Sequence, residues 1–139
     1  MNSIKDIMTE NPYCLSEYTN VHKARMLMAN KSIRHIPIKD LDSNKLIGML
    51  SQKDVLSNAI KIINQRGLER LEHEEKSMEL STLMNKSPAV FDINDNLVDI
   101  ADDLLSKKSG CVAIVENEIL VGVITSNDFV KLAVQQLTS

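Results

Sequence analysis

The chain has 139 residues, of which 43% are hydrophobic and 25% charged, with a formal net charge of −3 and a pI of about 5.6. This composition is typical of a globular protein with one domain or two small, mutually dependent halves. The acidic balance argues against a broad basic face for nucleic acid, and two tyrosines and two phenylalanines offer little surface for base stacking.

The cysteines and the apolar runs indicate the compartment. Cys14 and Cys111 lie far apart in the sequence and form no CxxC or Cys/His spacing, so we expect reduced thiols, without a disulfide framework or a zinc site. No apolar run is as long as a membrane span, and the N-terminus has no signal-peptide core. We therefore expect a cytoplasmic protein.

The first 59 residues open with apolar residues and a proline, and then predict elements in the order strand, helix, strand, strand, helix. These elements cover Tyr13–Leu15, Val21–Met28, Ile36–Ile38, Leu46–Leu50 and a helix that begins at Ser51. Pro37 is acceptable near the start of its strand but not in the middle. Residues 60–79 predict a charged helical linker with an exposed face, or alternatively a helix that contacts a partner.

Residues 80–139 repeat the same order of elements. They cover Ala89–Phe91, Leu97–Leu105, Val112–Val115, Leu120–Ile124 and a helix that begins at Thr125. Ile4–Asp40 aligns with Leu80–Glu116 and, after a two-residue deletion in a turn, Lys45–Ala59 aligns with Ile119–Ala133. The sequence therefore predicts an α+β (α/β) fold of tandem βαββα repeats, at 1–59 and 80–139, on either side of the 60–79 linker.

Each repeat ends in a Gly-x-x-Ser/Thr-x-x-Asp sequence where a strand meets a helix: Gly48–Asp54 and Gly122–Asp128. An ionised Asp suits two vicinal hydroxyl donors such as those of a ribose, and a hydroxyl with free helix N–H groups suits a phosphate. The preceding Gly lets a ligand or a neighbouring backbone come close. The alternative is a capping box that only stabilises the helix. The occurrence of the same motif at matching places in both repeats favours a ligand-binding site.

An enzyme is not predicted. His22, His35 and His73 have no partnered Ser or Cys at a catalytic spacing, and His22 is expected to face solvent. Cys111 is expected to be a buried structural thiol. The aspartates between residues 92 and 103 lack the spacing of a calcium loop, so no metal site is expected.

The chain resembles the CBS domain, named for cystathionine β-synthase, which occurs in pairs. Three features carry the resemblance: Met-x-x-x-Pro at Met8–Pro12 and Met84–Pro88, the strand entry Ile33–Ile38, and the two Gly-x-x-Ser/Thr-x-x-Asp endings. The resemblance implies a stand-alone pair with pseudo-two-fold symmetry and two clefts between the repeats. Such clefts commonly hold an adenosine compound: AMP, ADP, ATP or S-adenosylmethionine.

The resemblance also implies roles for individual residues, with Asp on ribose, Ser/Thr on phosphate and the other repeat at the base. One cleft would combine Asp128 and Thr125 with Asn11, Ile33, Arg34 and His35. The other would combine Asp54 and Ser51 with Ser87, Ala89, Val90 and Cys111. Arg34 and Lys53 occupy places where relatives carry phosphate-neutralising residues. Gly110 and Asn127 replace them in the second repeat, and Ala113 replaces the strand proline, which predicts asymmetric or single-site phosphate binding.

The resemblance therefore implies a regulatory sensor that binds an adenosine nucleotide and signals to a separate effector protein. The alternative is a ligand-independent dimerisation module. The predicted helices carry more apolar positions (Met26, Met28, Leu104, Leu105) than one small pair buries, so we expect a homodimer through Val21–Met28, Leu97–Leu105 and the two C-terminal helices.

Overall fold

The computed structural model describes residues 3–107 and 109–138, which form two compact units. The first, here called the central unit, is Tyr13–Ser87. The second, here called the split unit, combines the N-terminal segment through Pro12 with the chain from Pro88 onward. The units therefore have bounds different from those of the sequence repeats, because the opening segment of each repeat belongs with the strands of the other.

The helices and strands alternate along the chain much as the sequence predicts. In order they are α1 (Ile4–Ile7), β1 (Thr9–Glu10), α2 (Val21–Lys31), β2 (His35–Lys39), β3 (Leu46–Ser51), α3 (Gln52–Arg66), α4 (Leu71–Lys76), β4 (Val90–Asp92), α5 (Leu97–Ser106), β5 (Cys111–Glu116), β6 (Ile119–Thr125) and α6 (Ser126–Thr138). Single 3₁₀ turns cover Leu68–Arg70 and Leu80–Thr82. The predicted mixture of helices and strands is confirmed.

In the central unit, β2 and β3 form an antiparallel pair that packs against α2, α3 and the 3₁₀ turn after α4. Its buried core is aliphatic: Val21, Ala24, Met28, Ile36, Ile38, Leu50, Val55 and Leu80. Asn20 caps the N-terminus of α2, and its side chain accepts a hydrogen bond from the backbone N–H of Lys23 at 2.8 Å.

In the split unit, four strands form one sheet in the order β1-β6-β5-β4, in which only the β4–β5 pair is parallel. Its core is aliphatic as well: Ile4, Ile100, Leu104, Val112, Ile114 and Ile124. Asn96 caps the N-terminus of α5, where its side chain accepts the N–H of Val98 at 2.9 Å, as Asn20 does at the start of α2. Asn117 and Glu118 form the β5–β6 turn, both with positive φ as tight hairpins require.

Two predictions about strands of the first repeat are wrong in detail. The predicted strand Tyr13–Leu15 is reduced to a single bridge between Leu15 and Ile38. Pro37 lies in the middle of β2, opposite Met49, and not near its start. The proline is tolerated because the backbone N–H and C=O of Met49 bond to Asn85, so β3 requires no donor from residue 37.

The opening segments lie against the two glycines that precede the Ser/Thr-x-x-Asp sequences. In the central unit, the N–H and C=O of Met49 exchange hydrogen bonds with Asn85 at 3.0 and 2.8 Å. In the split unit, β1 pairs with β6 so that Thr9 lies opposite Val123. A Cβ on Gly48 would lie 3.0 Å from the Asn85 carbonyl oxygen, and one on Gly122 would lie 2.9 Å from that of Thr9. Each glycine therefore makes room for a neighbouring backbone.

The charged segment after α3 is helical, but its face is not uniformly exposed. Glu75 in α4 is fully buried, and both its carboxylate oxygens accept hydrogen bonds from Arg25 Nε, at 2.9 and 2.8 Å. His22, predicted to face solvent, has only 18% of its side chain exposed. It lies between the carboxylates of Glu72 and Glu75, at 3.2 and 3.3 Å. That prediction is wrong because α4 folds back onto α2.

Two of the four residues cited for the predicted dimer are already buried. Met28 is 2% and Leu104 is 9% exposed, because each packs into the core of its own unit. Met26 and Leu105 are 40% and 80% exposed. Of these four residues, Met26 and Leu105 alone offer apolar surface to a partner.

No helix among residues 3–107 and 109–138 has both the length and the apolar character needed to cross a bilayer. Across that part of the chain, His, Cys, Asp and Glu side chains also form no group of three or more suited to a metal ion. The aspartates near α5 have other roles: Asp92 accepts from the N–H of Asn94, and Asp103 pairs with Lys107 at 3.2 Å.

Candidate functional site

The first candidate site lies where β3 meets α3 in the central unit. Ser51 is the N-cap of α3, and its Oγ accepts the backbone N–H of Asp54 at 3.1 Å. Asp54 itself is exposed, and its carboxylate accepts no hydrogen bond among the described residues. The carboxylate is therefore available to hydroxyl donors from outside the chain.

The strand entry of β2 lies beside this junction. His35 is the register partner of Ser51, and the backbone N–H of Gln52 donates to the Arg34 carbonyl at 2.7 Å. Burial of the ring and the charge of Arg34 lower the pKa of His35, while the carboxylate of Asp54 acts against this shift. Arg34 and Lys53 are exposed. The junction thus combines two cations, a neutral imidazole and a free carboxylate around one helix N-terminus, an arrangement suited to a phosphorylated polyol.

The equivalent junction in the split unit has different chemistry. Asp128 is 7% exposed. Its Oδ2 accepts two hydrogen bonds from Thr125, one from the backbone N–H at 2.9 Å and one from the Oγ1 hydroxyl at 3.4 Å. Thr9 Oγ1 approaches the other oxygen at 3.4 Å. Cys111 occupies the place of His35 and lies opposite Thr125. Cys111 is buried, as expected, and burial raises the pKa of its thiol to about 12, with the charge of Asp128 acting in the same direction.

Each junction forms a different one of the two hydrogen bonds of a capping box. In the central unit the Ser hydroxyl caps the helix and leaves the carboxylate free, whereas in the split unit the carboxylate itself caps a backbone N–H. The capping role therefore holds in both repeats. It occupies the proposed ribose acceptor only at Asp128.

The remaining predicted site residues are divided between the units. The central unit contains Ile33, Arg34, His35, Ser51, Lys53, Asp54 and Ser87. The split unit contains Asn11, Ala89, Val90, Cys111, Thr125 and Asp128. The structure thus brings Arg34 and His35 beside Ser51. Their predicted grouping with Asp128 and Thr125 joins residues of different units and stays a prediction.

A surface cavity of about 230 Å³ lies elsewhere on the central unit. It is lined by Ser16, Glu17, Tyr18, Lys39, Asp40, Leu41 and Asp42. None of the predicted site residues lines it, and it lies near the turn after β2, where Asp40 caps the N–H of Asp42. We therefore place the candidate site at the β3–α3 junction, on its chemistry, and assign no role to this cavity.

Comparisons with known proteins agree with this fold. The structure of CBSX2 from Arabidopsis thaliana is similar, with a TM-score of 0.83, 27% identity, and coverage of 99% of this chain and 97% of that one. CBSX2 has also been solved in complex with AMP, at a TM-score of 0.79. The CBS domain pair of protein MJ0100, 19% identical with a TM-score of 0.77 and 98% coverage of both chains, was solved with 5′-methylthioadenosine and S-adenosylmethionine.

Sequence comparison also finds a homoserine O-acetyltransferase of Methanococcus vannielii, 26% identical over 126 residues. The match includes 90% of this chain, but the chain spans only 23% of the length of that relative. The sequence model of the CBS domain matches residues 4–69 and 80–135, which is most of both repeats. The chain therefore belongs to the CBS-domain family.

Proposed function

We propose that this protein is a regulatory module, not an enzyme, that binds an adenosine nucleotide through its Ser/Thr-x-x-Asp endings and signals to a partner protein. The observation that carries the proposal is the β3–α3 junction, where the free carboxylate of Asp54 lies near a helix N-terminus with Arg34, His35 and Lys53. AMP, ADP, ATP and S-adenosylmethionine are the candidate ligands. The complexes of CBSX2 with AMP and of MJ0100 with S-adenosylmethionine support this choice.

The setting we propose is a reducing cytoplasm. Cys14 and Cys111 are not joined in a disulfide, and burial raises the pKa of both thiols. Protonated, partly or fully buried thiols are poor nucleophiles, so a redox role for either cysteine has no support.

A ligand that binds only the folded state is expected to raise the melting temperature. At one hundred times its dissociation constant it adds about 2.7 kcal/mol to the free energy of unfolding. Asp54→Ala removes the acceptor of two ribose hydroxyls, a loss on the order of 1.5–3 kcal/mol for charged hydrogen bonds, or roughly tenfold to a hundredfold in affinity. Calorimetric titration of the wild type and of Asp54→Ala with AMP, ADP, ATP, S-adenosylmethionine and adenosine measures this loss of affinity.

Matched variants separate the two junctions. Asp128→Ala is expected to lower stability, because it removes a helix cap, and to leave unchanged the affinity for a phosphorylated ligand at the other junction. Arg34→Ala and Lys53→Ala should weaken phosphorylated ligands and spare adenosine. An absence of heat with every compound at millimolar concentration, together with an unchanged melting curve, would reject the sensor proposal.

The second candidate function is a dimerisation module, and one surface feature favours it. α3 and α6 carry exposed apolar residues at equivalent places in the repeat: Leu56 with Val130, and Ile60 with Val134. These four side chains are 50–59% exposed and lie one helical turn apart on each helix. Such stripes mark contact surfaces more often than isolated apolar residues do.

We expect the protein to form a homodimer at micromolar concentration through these stripes. Ile60→Glu or Val134→Glu places a charge where apolar surface would be buried, so either variant should shift the mass toward that of a monomer. Lys61→Glu, on the same helix but at an exposed charged position, is the matched control. Light scattering measures the mass, and a wild-type monomer would contradict the prediction.

A further inference from the structure

We propose that His35 takes up a proton when a phosphorylated ligand binds at the β3–α3 junction, so that the contribution of His35 to the affinity for such ligands rises as the pH falls below neutrality. This inference rests on the proposed function, and it concerns the regulation of that site. It makes His35 a residue that distinguishes a phosphorylated adenosine from an unphosphorylated one by charge.

The position of His35 provides the first argument. His35 and Ser51 are directly opposite each other in the antiparallel β2–β3 pair, so their side chains leave the same face of the sheet. Opposed residues in such pairs have Cβ atoms about 4.5–5.5 Å apart. The hydrogen bond from the N–H of Gln52 to the Arg34 carbonyl fixes the strand entry against the first residue of α3. A phosphate bound as the proposed function places it, at the Ser51 hydroxyl and the N-terminus of α3, would therefore lie within reach of the imidazole.

The charges around the ring provide the second argument. Arg34 lies immediately before β2, Lys53 and Asp54 lie on the first turn of α3, and Ser51 at the end of β3 is uncharged. Without a ligand, burial and Arg34 outweigh Asp54 and lower the pKa of His35, so the ring is neutral at pH 7. A phosphate dianion reverses this balance, because an opposite charge within about 4–6 Å favours the charged form.

The second repeat contains an internal comparison. Its residue opposite Thr125 is Cys111, whose pKa is raised to about 12, so that side chain is protonated throughout the physiological range and has no proton to gain. Gly110 and Asn127 stand where the first repeat has Arg34 and Lys53. Proton-coupled binding of a phosphate is therefore assigned to the first repeat alone.

Whether the His35 contribution to ligand affinity rises or falls with pH depends on the direction in which the pKa of His35 is shifted. The pKa of His35 in the free protein lies below its ordinary value, so protonating the empty site is unfavourable at neutral pH. A bound phosphate raises that pKa, so binding is coupled to proton uptake between the free and the bound values. Affinity gains about tenfold for each unit by which the ligand raises the pKa of His35. The gain appears on acidification.

The test is calorimetric titration of the full chain with AMP between pH 5.5 and 8.5, in two buffers that differ in heat of ionisation. We expect the ratio of wild-type to His35→Gln affinity to rise several-fold from pH 8 to pH 6, with more proton uptake in the wild type. The second ionisation of the AMP phosphate, near pH 6, affects both proteins equally and cancels in the ratio. His73→Gln, an exposed histidine on α4, is the matched control.

A second measurement requires no variant: the ring titration of His35 followed by NMR in the wild-type protein, with and without AMP. We expect its midpoint to move to higher pH with AMP and to stay in place with adenosine. If AMP binds but the midpoint and the affinity ratio do not change, the inference is overturned and the proposed function stands. If AMP, ADP, ATP and S-adenosylmethionine all fail to bind at any pH, both are overturned.

Discussion

Glu75→Ala is expected to lower the free energy of unfolding by about 3 kcal/mol, the lower end of the range for breaking a buried ion pair by removal of one partner. The carboxylate of Glu75 has no exposed surface and accepts three hydrogen bonds from Arg25, at 2.8–2.9 Å. The variant leaves the guanidinium of Arg25 without its acceptor. The lower end applies because the Arg25 side chain is 30% exposed and water replaces part of the interaction.

A neighbouring glutamate provides the control. Glu72 is on the same helix and pairs with His22 and Lys76, at 3.2 and 3.7 Å, but its side chain is 63% exposed. Glu72→Ala should therefore cost no more than about 1 kcal/mol, as exposed ion pairs do. Denaturant unfolding measures both variants, and the prediction fails if their midpoints fall equally at unchanged slope.

The double variant tests whether the pair acts as a unit. Arg25→Ala alone leaves a buried carboxylate that keeps His22, at 3.3 Å, but has lost its guanidinium partner, and it should destabilise at least as much as Glu75→Ala. The combined variant should cost clearly less than the sum of the two, because each single change already removes the shared hydrogen bonds. An additive result would mean that the two side chains stabilise the fold independently, against the geometry of the pair.

The burial of Glu75 shows where prediction from the sequence ends. The segment from Arg66 to Lys76 has charges of both signs, and such a pattern is typical of an exposed helix face. The partner Arg25 lies 50 residues earlier, on a helix whose own pattern gives no sign of a buried guanidinium. A contact at that distance in the sequence depends on how α4 packs against α2, and no local pattern encodes it.

The order of elements could be predicted, because each depends on local spacing that is duplicated in the chain. The 3.6-residue spacing in α2 and α5, the polar turns, and the Asn20 and Asn96 caps all occur at matching places. The exchange of the opening segments could not be predicted. Aligning two copies shows that Met8 corresponds to Met84, but it does not show which copy's strand each one contacts.

For the candidate site as well, the sequence predicts which residues belong to the motif but not the contacts that they make. The residues Ser51, Asp54, Thr125 and Asp128 follow from the repeated motif. The difference between the two aspartates does not, since it depends on which half of the capping box each helix forms. The proximity of His35 to Ser51 follows from strand register, and the sequence, through the family resemblance, had placed His35 with the other junction.

Gly48→Ala and Gly122→Ala are each expected to destabilise the fold by about 2 kcal/mol, within the usual 1–3 kcal/mol range for overpacking. A methyl group on Gly48 would lie 2.7 Å from the Met84 sulfur and 3.0 Å from the Asn85 carbonyl oxygen. On Gly122, the corresponding distances to Met8 and Thr9 are 2.6 and 2.9 Å. The sulfur is at the flexible end of a side chain, but the carbonyl belongs to a paired backbone that has little freedom to move.

The contribution of the thioether can be separated from that of the backbone. Met84→Ala removes the sulfur, so the Gly48→Ala/Met84→Ala variant should cost less than the sum of the two single changes while remaining less stable than Met84→Ala alone. Thermal and denaturant unfolding measure all three. The glycine had two interpretations from the sequence, approach of a ligand or approach of a neighbouring backbone, and the contacts favour the backbone. If Gly48→Ala instead leaves stability unchanged and weakens only nucleotide binding, the ligand interpretation is the correct one.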